Sequence, residues 1–175
     1  MSGSDALATF IEAATAVTDG VCAAQSVGSA TDLTIDGSLS SGGEVTFDQP
    51  RNVTILSAGN DSGITFTVTG TDETATAVTE VITGASTGTA TGTTYFATIT
   101  QIASSGAAAA NVSVGSGTSI AAPIFRGSMR LIGLYVVNTG TAGTVTFRQT
   151  SATGTIGMQF NTVAAANTNA YPDIP

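Results

Sequence analysis

The chain contains no lysine, no histidine and no tryptophan, and it has a single cysteine. Each absence removes a class of chemistry. Without histidine there is no Ser-His-Asp or Cys-His arrangement and no histidine metal site. Without lysine there is no Schiff-base amine, no lysine general base and no phosphate-binding loop of the usual kind. A carboxylate pair for glycoside hydrolysis stays open in principle. The acids, however, are scattered over turn sequences, and three tyrosines with no tryptophan leave little to line a sugar site. Asp61, Asp72 and Glu73 offer oxygen ligands of the kind calcium takes, but they match no loop pattern and read as solvated turn residues. The expectation is a chain with no catalytic residues, no cofactor and no metal.

Charge is also scarce. Charged residues make up 9% of the chain, against about 25% in ordinary globular proteins. The only cations are Arg51, Arg126, Arg130 and Arg148, and 12 acids leave a net charge of −8. So few cations make nucleic acid a poor partner, because phosphates must be neutralised. No run approaches the roughly 18 apolar residues of a membrane span, and nothing at the N-terminus reads as a signal peptide. Cys22 has no partner for an intrachain disulfide and reads as a small buried apolar group. Asn52, Asn60 and Asn111 fall in N-x-S/T sequons, which read as chance matches in a threonine-rich chain without a secretory signal. The surface is therefore built mainly of Thr, Ser, Gly, Asn and Ala. Hydroxyls and net charge are enough to keep such a subunit soluble; alternatively, neighbouring subunits cover much of it.

What the sequence does have is alternation. In RNVTILSAGNDSGITFTVTG (51–70), Ile64, Phe66 and Val68 point one way and Thr65, Thr67 and Thr69 the other, the mark of a half-buried strand. Val53 and Ile55 alternate with Asn52 and Thr54. The intervening SAGNDSG has turn chemistry, so the stretch reads as a hairpin. Leu33 and Ile35 alternate in DLTID, and Val45 and Phe47 in EVTFD, before Pro50 breaks the ladder. GSLSSGG reads as a turn or flexible loop, and TDETAT as a hairpin tip. In AVTEVIT (77–83), Val78, Glu80 and Ile82 share one face and Val81 lies on the other. GASTGTATGTT (84–94) reads as a loop. YFATITQIAS (95–104) is apolar on both faces, which predicts a β-bulge or burial on both sides. NVSVG (111–115) is a short strand and GSGTSIAAP (115–123) a linker.

These signals predict an all-β fold, with an antiparallel β-sandwich of about seven short strands over 21–118. A three-stranded meander follows over 119–175, from MRLIGLYVVN, TVTFRQ and IGMQF, to be completed by a neighbouring subunit or domain because one apolar face needs a cover; the tail TVAAANTNAYPDIP reads as loop. Ahead of the sandwich, residues 1–20 form a docking element. Leu7, Phe10 and Ile11 fall at helical spacing in DALATFIEAATAV (5–17), giving either a short amphipathic helix or an extended arm. These three residues are candidate partner contacts. So are Arg126 and Arg130 in FRGSMR, as a pair facing an acidic neighbour or as a solvated pair.

Two stretches carry a resemblance. SAGNDSGITFTVTGTD, VTEVITG and YF, in that order within 51–115, resemble a β-rich domain of structural proteins of short-tailed bacteriophages. GLYVVNTGTAGTVTFRQTSATGTIGMQFNTVAAANTNAYPDIP (133–175) resembles a segment of small virion proteins of such phages, including cyanophages. The resemblance implies a virion component, assembled in the bacterial cytoplasm, whose partners are the major capsid protein or other virion proteins and further copies of itself, a trimer being one closed form. A capsid decoration (cement) protein is the first reading it implies; a tail or head-fibre component is the second. A carbohydrate-binding or adhesin module of non-viral origin is a third reading from a different class. In related proteins a further strand would follow PDIP.

Overall fold

The computed structural model describes residues 15–121, 134–137, 142–148, 155–163 and 167–170. The chain divides into two compact units, Met1–Ala122 and Pro123–Pro175. Among its described residues the first holds eight strands: β1 (Val17–Gln25), β2 (Ser40–Ser41), β3 (Glu44–Asn60), β4 (Thr65–Thr71), β5 (Ala77–Thr83), β6 (Ser86–Thr91), β7 (Phe96–Ser104) and β8 (Val112–Ile120). Every pairing is antiparallel, in the order β1-β8-β3-β7-β4-β5, with β2 and β6 also on β3. No helix occurs among the described residues.

The fold is all-β, and β3 makes it a sandwich. Its first part pairs with β2 through Glu44 and Val45 and with β7 through Val45 and Thr46. From Val53 onward it lies between β8 and β6. One 17-residue strand thus belongs to two layers, β2-β3-β7-β4-β5 and β1-β8-β3-β6. Side chains from both layers form one core, with Phe66, Phe96, Ile99 and Ile102 from one and Val21, Val53, Ile55 and Val114 from the other. All eight are fully buried. Burying side chains of this size contributes about 1.5–3 kcal/mol each.

Several local readings follow from side-chain chemistry. In β4, Phe66 and Val68 are fully buried while Thr65, Thr67 and Thr69 are half-buried on the opposite face. In β5, Ile82 is buried and Val81 exposed. The two-faced apolar pattern of β7 arises from a bulge. Thr69 pairs with Gln101 but Gly70 pairs with Ile99, so Thr100 is the extra residue. A single insertion brings Ile99 and Ile102, three apart in sequence, into the same core. The GSLSSGG turn is tight: Ser41 faces Glu44, and Gly42 and Gly43 take φ of 65° and 82°. Two positive φ values at the centre of a two-residue loop define a type I′ hairpin, which suits glycine.

Other expectations are corrected. The 51–70 stretch is two strands but no hairpin: β3 and β4 do not pair, and the turn carries the chain from one layer to the other. Asp61 drives that crossing, because its backbone binds Ala85 and Ile64 and its carboxylate accepts from Ala109. Residues 84–94 contain β6, held by backbone pairing to β3, which needs no apolar alternation. The 115–120 segment continues β8 rather than linking domains. Leu33 and Ile35 are buried as read, but their segment makes only an isolated bridge, Asp32 to Ala103. Val17, placed at the end of a helix by its spacing, begins β1 opposite Ser116. Leu7, Phe10, Ile11 and the rest of that helix or arm up to residue 14 lie outside the described residues.

In the second unit, β9 is Leu134–Val137, β10 Thr144–Arg148, β11 Ile156–Asn161 and β12 Asn167–Ala170. β10 and β11 pair as read, with Phe147 and Phe160 rings stacked 6.2 Å apart. The expected meander is not formed among the described residues, since β9 pairs with β12. β12 comes from the tail read as loop; NTNA carries no apolar period to announce a strand.

The bulge in β7 brings the β4 backbone close at Gly70. A Cβ there would overlap the Thr98 carbonyl oxygen, and neither backbone can yield. Gly70→Ala should therefore cost about 3 kcal/mol in urea unfolding. Gly63→Ala, where nothing lies within 4 Å, should stay within about 0.5 kcal/mol. Equal effects at the two positions would refute the close-approach account.

Candidate functional site

Two polar side chains with structural roles, Arg51 and Asn52, sit where β3 changes layers. Register breaks between Thr46 and Arg51 on the β7 side and between Arg51 and Val53 on the β8 side. Pro50, which has no N–H to donate, sits in that break. Its carbonyl accepts from Ala121 at 2.9 Å. Arg51 packs its guanidinium 5.6 Å from the centre of the Phe47 ring, pairs with Asp48, and donates to the Thr15 carbonyl at 3.3 Å. The Asp48 carboxyl lies below its ordinary pKa, chiefly because it accepts a hydrogen bond from Arg51. Asp48 is largely exposed, so this ion pair contributes little to stability.

Asn52 is the buried centre of the corner. Its amide NH2 donates to the Gly92 carbonyl at 3.3 Å, and its oxygen accepts from Ser119 N–H at 3.1 Å. One side chain thus ties β3 to the turn after β6 and to the end of β8. A buried amide bonded to two backbones is a structural device, and its 5% exposure leaves no room for a sugar. Asn60 and Asn111, the other sequon residues, are exposed.

Glu80 acts likewise. It faces inward from β5, and its carboxylate accepts from Thr93 N–H at 2.6 Å, Thr93 Oγ1 at 3.1 Å and Thr94 N–H at 3.2 Å. Asp61 is buried, with Oδ1 accepting from Ala109 N–H at 2.7 Å. Asp72 accepts from Thr74 N–H, Thr74 Oγ1 and Thr76 N–H within its own hairpin tip. Of the turn acids considered for calcium, Asp72 thus holds its own hairpin tip and Asp61 a neighbouring loop at Ala109. No group of three or more Cys, Asp or Glu that could hold a metal occurs among the described residues. Cys22 is buried in the core, and burial pushes its thiol up to about 12, with Asp36 adding to the effect. Such a thiol is not a nucleophile near neutral pH.

The expected contact residues Leu7, Phe10, Ile11, Arg126 and Arg130 all lie outside the described residues. The corner does mark where their segments join the sandwich. Thr15 and Ala121, bound to Arg51 and Pro50, border the N-terminal segment and the segment carrying Arg126. Asn52 and Glu80 were not legible as anchors. Asn52 reads as an outward residue by alternation, and its partners are 40 and 67 residues away. The inward phase of Glu80 in AVTEVIT is the one signal that the sequence did carry. No protein-family model, curated protein or solved structure matches the chain.

Asn52→Ala would leave the Ser119 N–H and the Gly92 carbonyl without their partner. The expected loss is about 3 kcal/mol by chemical denaturation, from two backbone groups left unsatisfied. Asn52→Asp keeps the acceptor but sets a carboxylate against the Gly92 carbonyl, so it should not restore stability. Wild-type stability in both variants would contradict the anchoring role.

Proposed function

We propose that the chain is a structural subunit of a bacteriophage particle, used as a capsid decoration protein that stabilises the head shell through repeated contacts. The observation that carries this reading is the resemblance of 51–115 to β-rich virion domains, a stretch that spans most of β3 to β8. The chemistry of the described residues fits a contact role. The buried Asn52 and Asp61 and the half-buried Glu80 engage the chain's own backbone. The outer face of β4 and β5 is a sheet of Thr65, Thr67, Thr69, Thr79 and Thr83, a surface for packing. Shell proteins gain from many weak contacts, because a seated copy meets its neighbours at high effective concentration.

In this reading the partners are the major capsid protein and further copies of the chain, in a trimer at local threefold positions of the shell. It assembles in the bacterial cytoplasm and needs no cofactor, nucleic acid or membrane. In this reading the N-terminal segment and the Arg126/Arg130 segment are the docking elements. A tail or head-fibre role is the second reading; it shares the resemblance and differs in copy number.

Quantitative mass spectrometry of purified particles, against the major capsid protein, tests this. Shell decoration predicts copies on the order of hundreds, as icosahedral surface positions require. About a dozen or fewer would move the protein to a tail or vertex. Absence from the particle would overturn the virion reading.

A further inference from the structure

The edges of the sandwich are not equally guarded. An exposed sheet edge presents free N–H and C=O groups that can template another strand, and proteins usually blunt it. β1 is covered by the 34–39 segment. Asp36 accepts from Ala23 N–H, Gln25 bonds both the N–H and the carbonyl of Thr34, and the Asp19, Gly20 and Val21 carbonyls accept from residues 37–39. The Ile102 carbonyl and Ser104 N–H of β7 are met by Leu33 and Thr31. β2 is two residues long. β6 is distorted where Thr87 and Gly88 take φ of 62° and 124°.

β5 has none of these protections. It pairs with β4 over seven consecutive residues without a register shift, and on its other side no strand pairs with it among the described residues. The direction of its free groups follows from the ladder. Asp72 N–H bonds the Thr76 carbonyl, and Gly84 N–H bonds the Ile64 carbonyl. In an antiparallel pair the hydrogen-bonded positions alternate, so Val78, Glu80 and Ile82 bond toward β4. The N–H and C=O groups of Ala77, Thr79, Val81 and Thr83 then point outward. All four residues are exposed, and Val81, at 63%, is the most exposed large apolar residue of the sandwich.

We propose that β5 pairs antiparallel with β5 of a second copy, on a two-fold axis through Val81. The edge is self-complementary in that register. Val81 faces Val81 of the other copy, Thr79 faces Thr83, and each of these three pairs exchanges two backbone hydrogen bonds. On the outer face the two exposed valines cover each other. On the inner face Glu80 lies opposite Ile82. The register slid by two residues would set Glu80 opposite Glu80, two like charges in direct opposition, and is disfavoured for that reason. The pairing joins two sandwiches into one continuous sheet. It stands apart from the virion reading, since it needs only two copies of the chain.

The test uses the full chain. Cys22 is buried and unreactive, so an introduced thiol reports alone. Directly opposed hydrogen-bonded residues have Cα atoms about 5.5 Å apart, within disulfide reach. Val81→Cys should cross-link to a covalent dimer under mild oxidation, and Thr79→Cys, whose counterpart lies four residues away along the ladder, should not. In sedimentation equilibrium Val81→Lys should weaken dimerisation at least about tenfold by opposing like charges, with unchanged thermal stability of the monomer. A chain that stays monomeric, a dimer indifferent to Val81→Lys, or equal cross-linking at 79 and 81 would overturn the proposal. So would protection of the Thr79 and Val81 amides that appears only when another protein is added, since the edge would then belong to a foreign strand.

Discussion

The first unit rests on one strand that serves two sheets. β3 pairs with β7 at its start and with β8 and β6 after the corner, so neither layer has a complete set of backbone partners without it. A strand can change partners in this way only if its ladder breaks and the freed groups are met by something else. Pro50 removes one donor at the break. Asn52 supplies an acceptor for Ser119 and a donor for Gly92. Arg51, packed on Phe47, reaches the Thr15 carbonyl. The core then closes on either side, with Val53 and Ile55 facing Phe66, Val68 and Ile99 in a single apolar cluster.

This economy shapes what the molecule has left to offer. A chain with 12 carboxylates and four arginines commits Asp61, Asp72 and Glu80 to holding turns. Its thiol is sealed in the core. Among the described residues, what remains outside is a threonine-faced sheet and a flat edge.

The sequence disclosed the elements whose apolar residues alternate. β4, the faces of β5 and the bulge in β7 could all be read, because a side-chain period of two leaves a visible trace. The failures share a cause. β6 is STGTAT, with no apolar residue larger than alanine, so its pairing with β3 is a property of the backbone alone. β12 was hidden in the same way. The connection from β3 to β4 looked like a hairpin because Gly, Asn and Asp serve a layer crossing as well as a tight turn. Which was formed depended on Asp61 meeting Ala109, 48 residues away. The candidate contacts at Leu7, Phe10, Ile11, Arg126 and Arg130 were chosen for local pattern. The anchors Asn52 and Glu80 act at long range, which a local pattern does not encode.

A shared strand makes the two layers one cooperative unit. Native-state amide hydrogen exchange measured against denaturant tests it directly. The slowest amides of β8, in one layer, and of β7, in the other, should merge on a single opening free energy equal to that of global unfolding. If one layer opened at a clearly lower free energy while the other stayed protected, β3 would not be coupling them, and the account would fail.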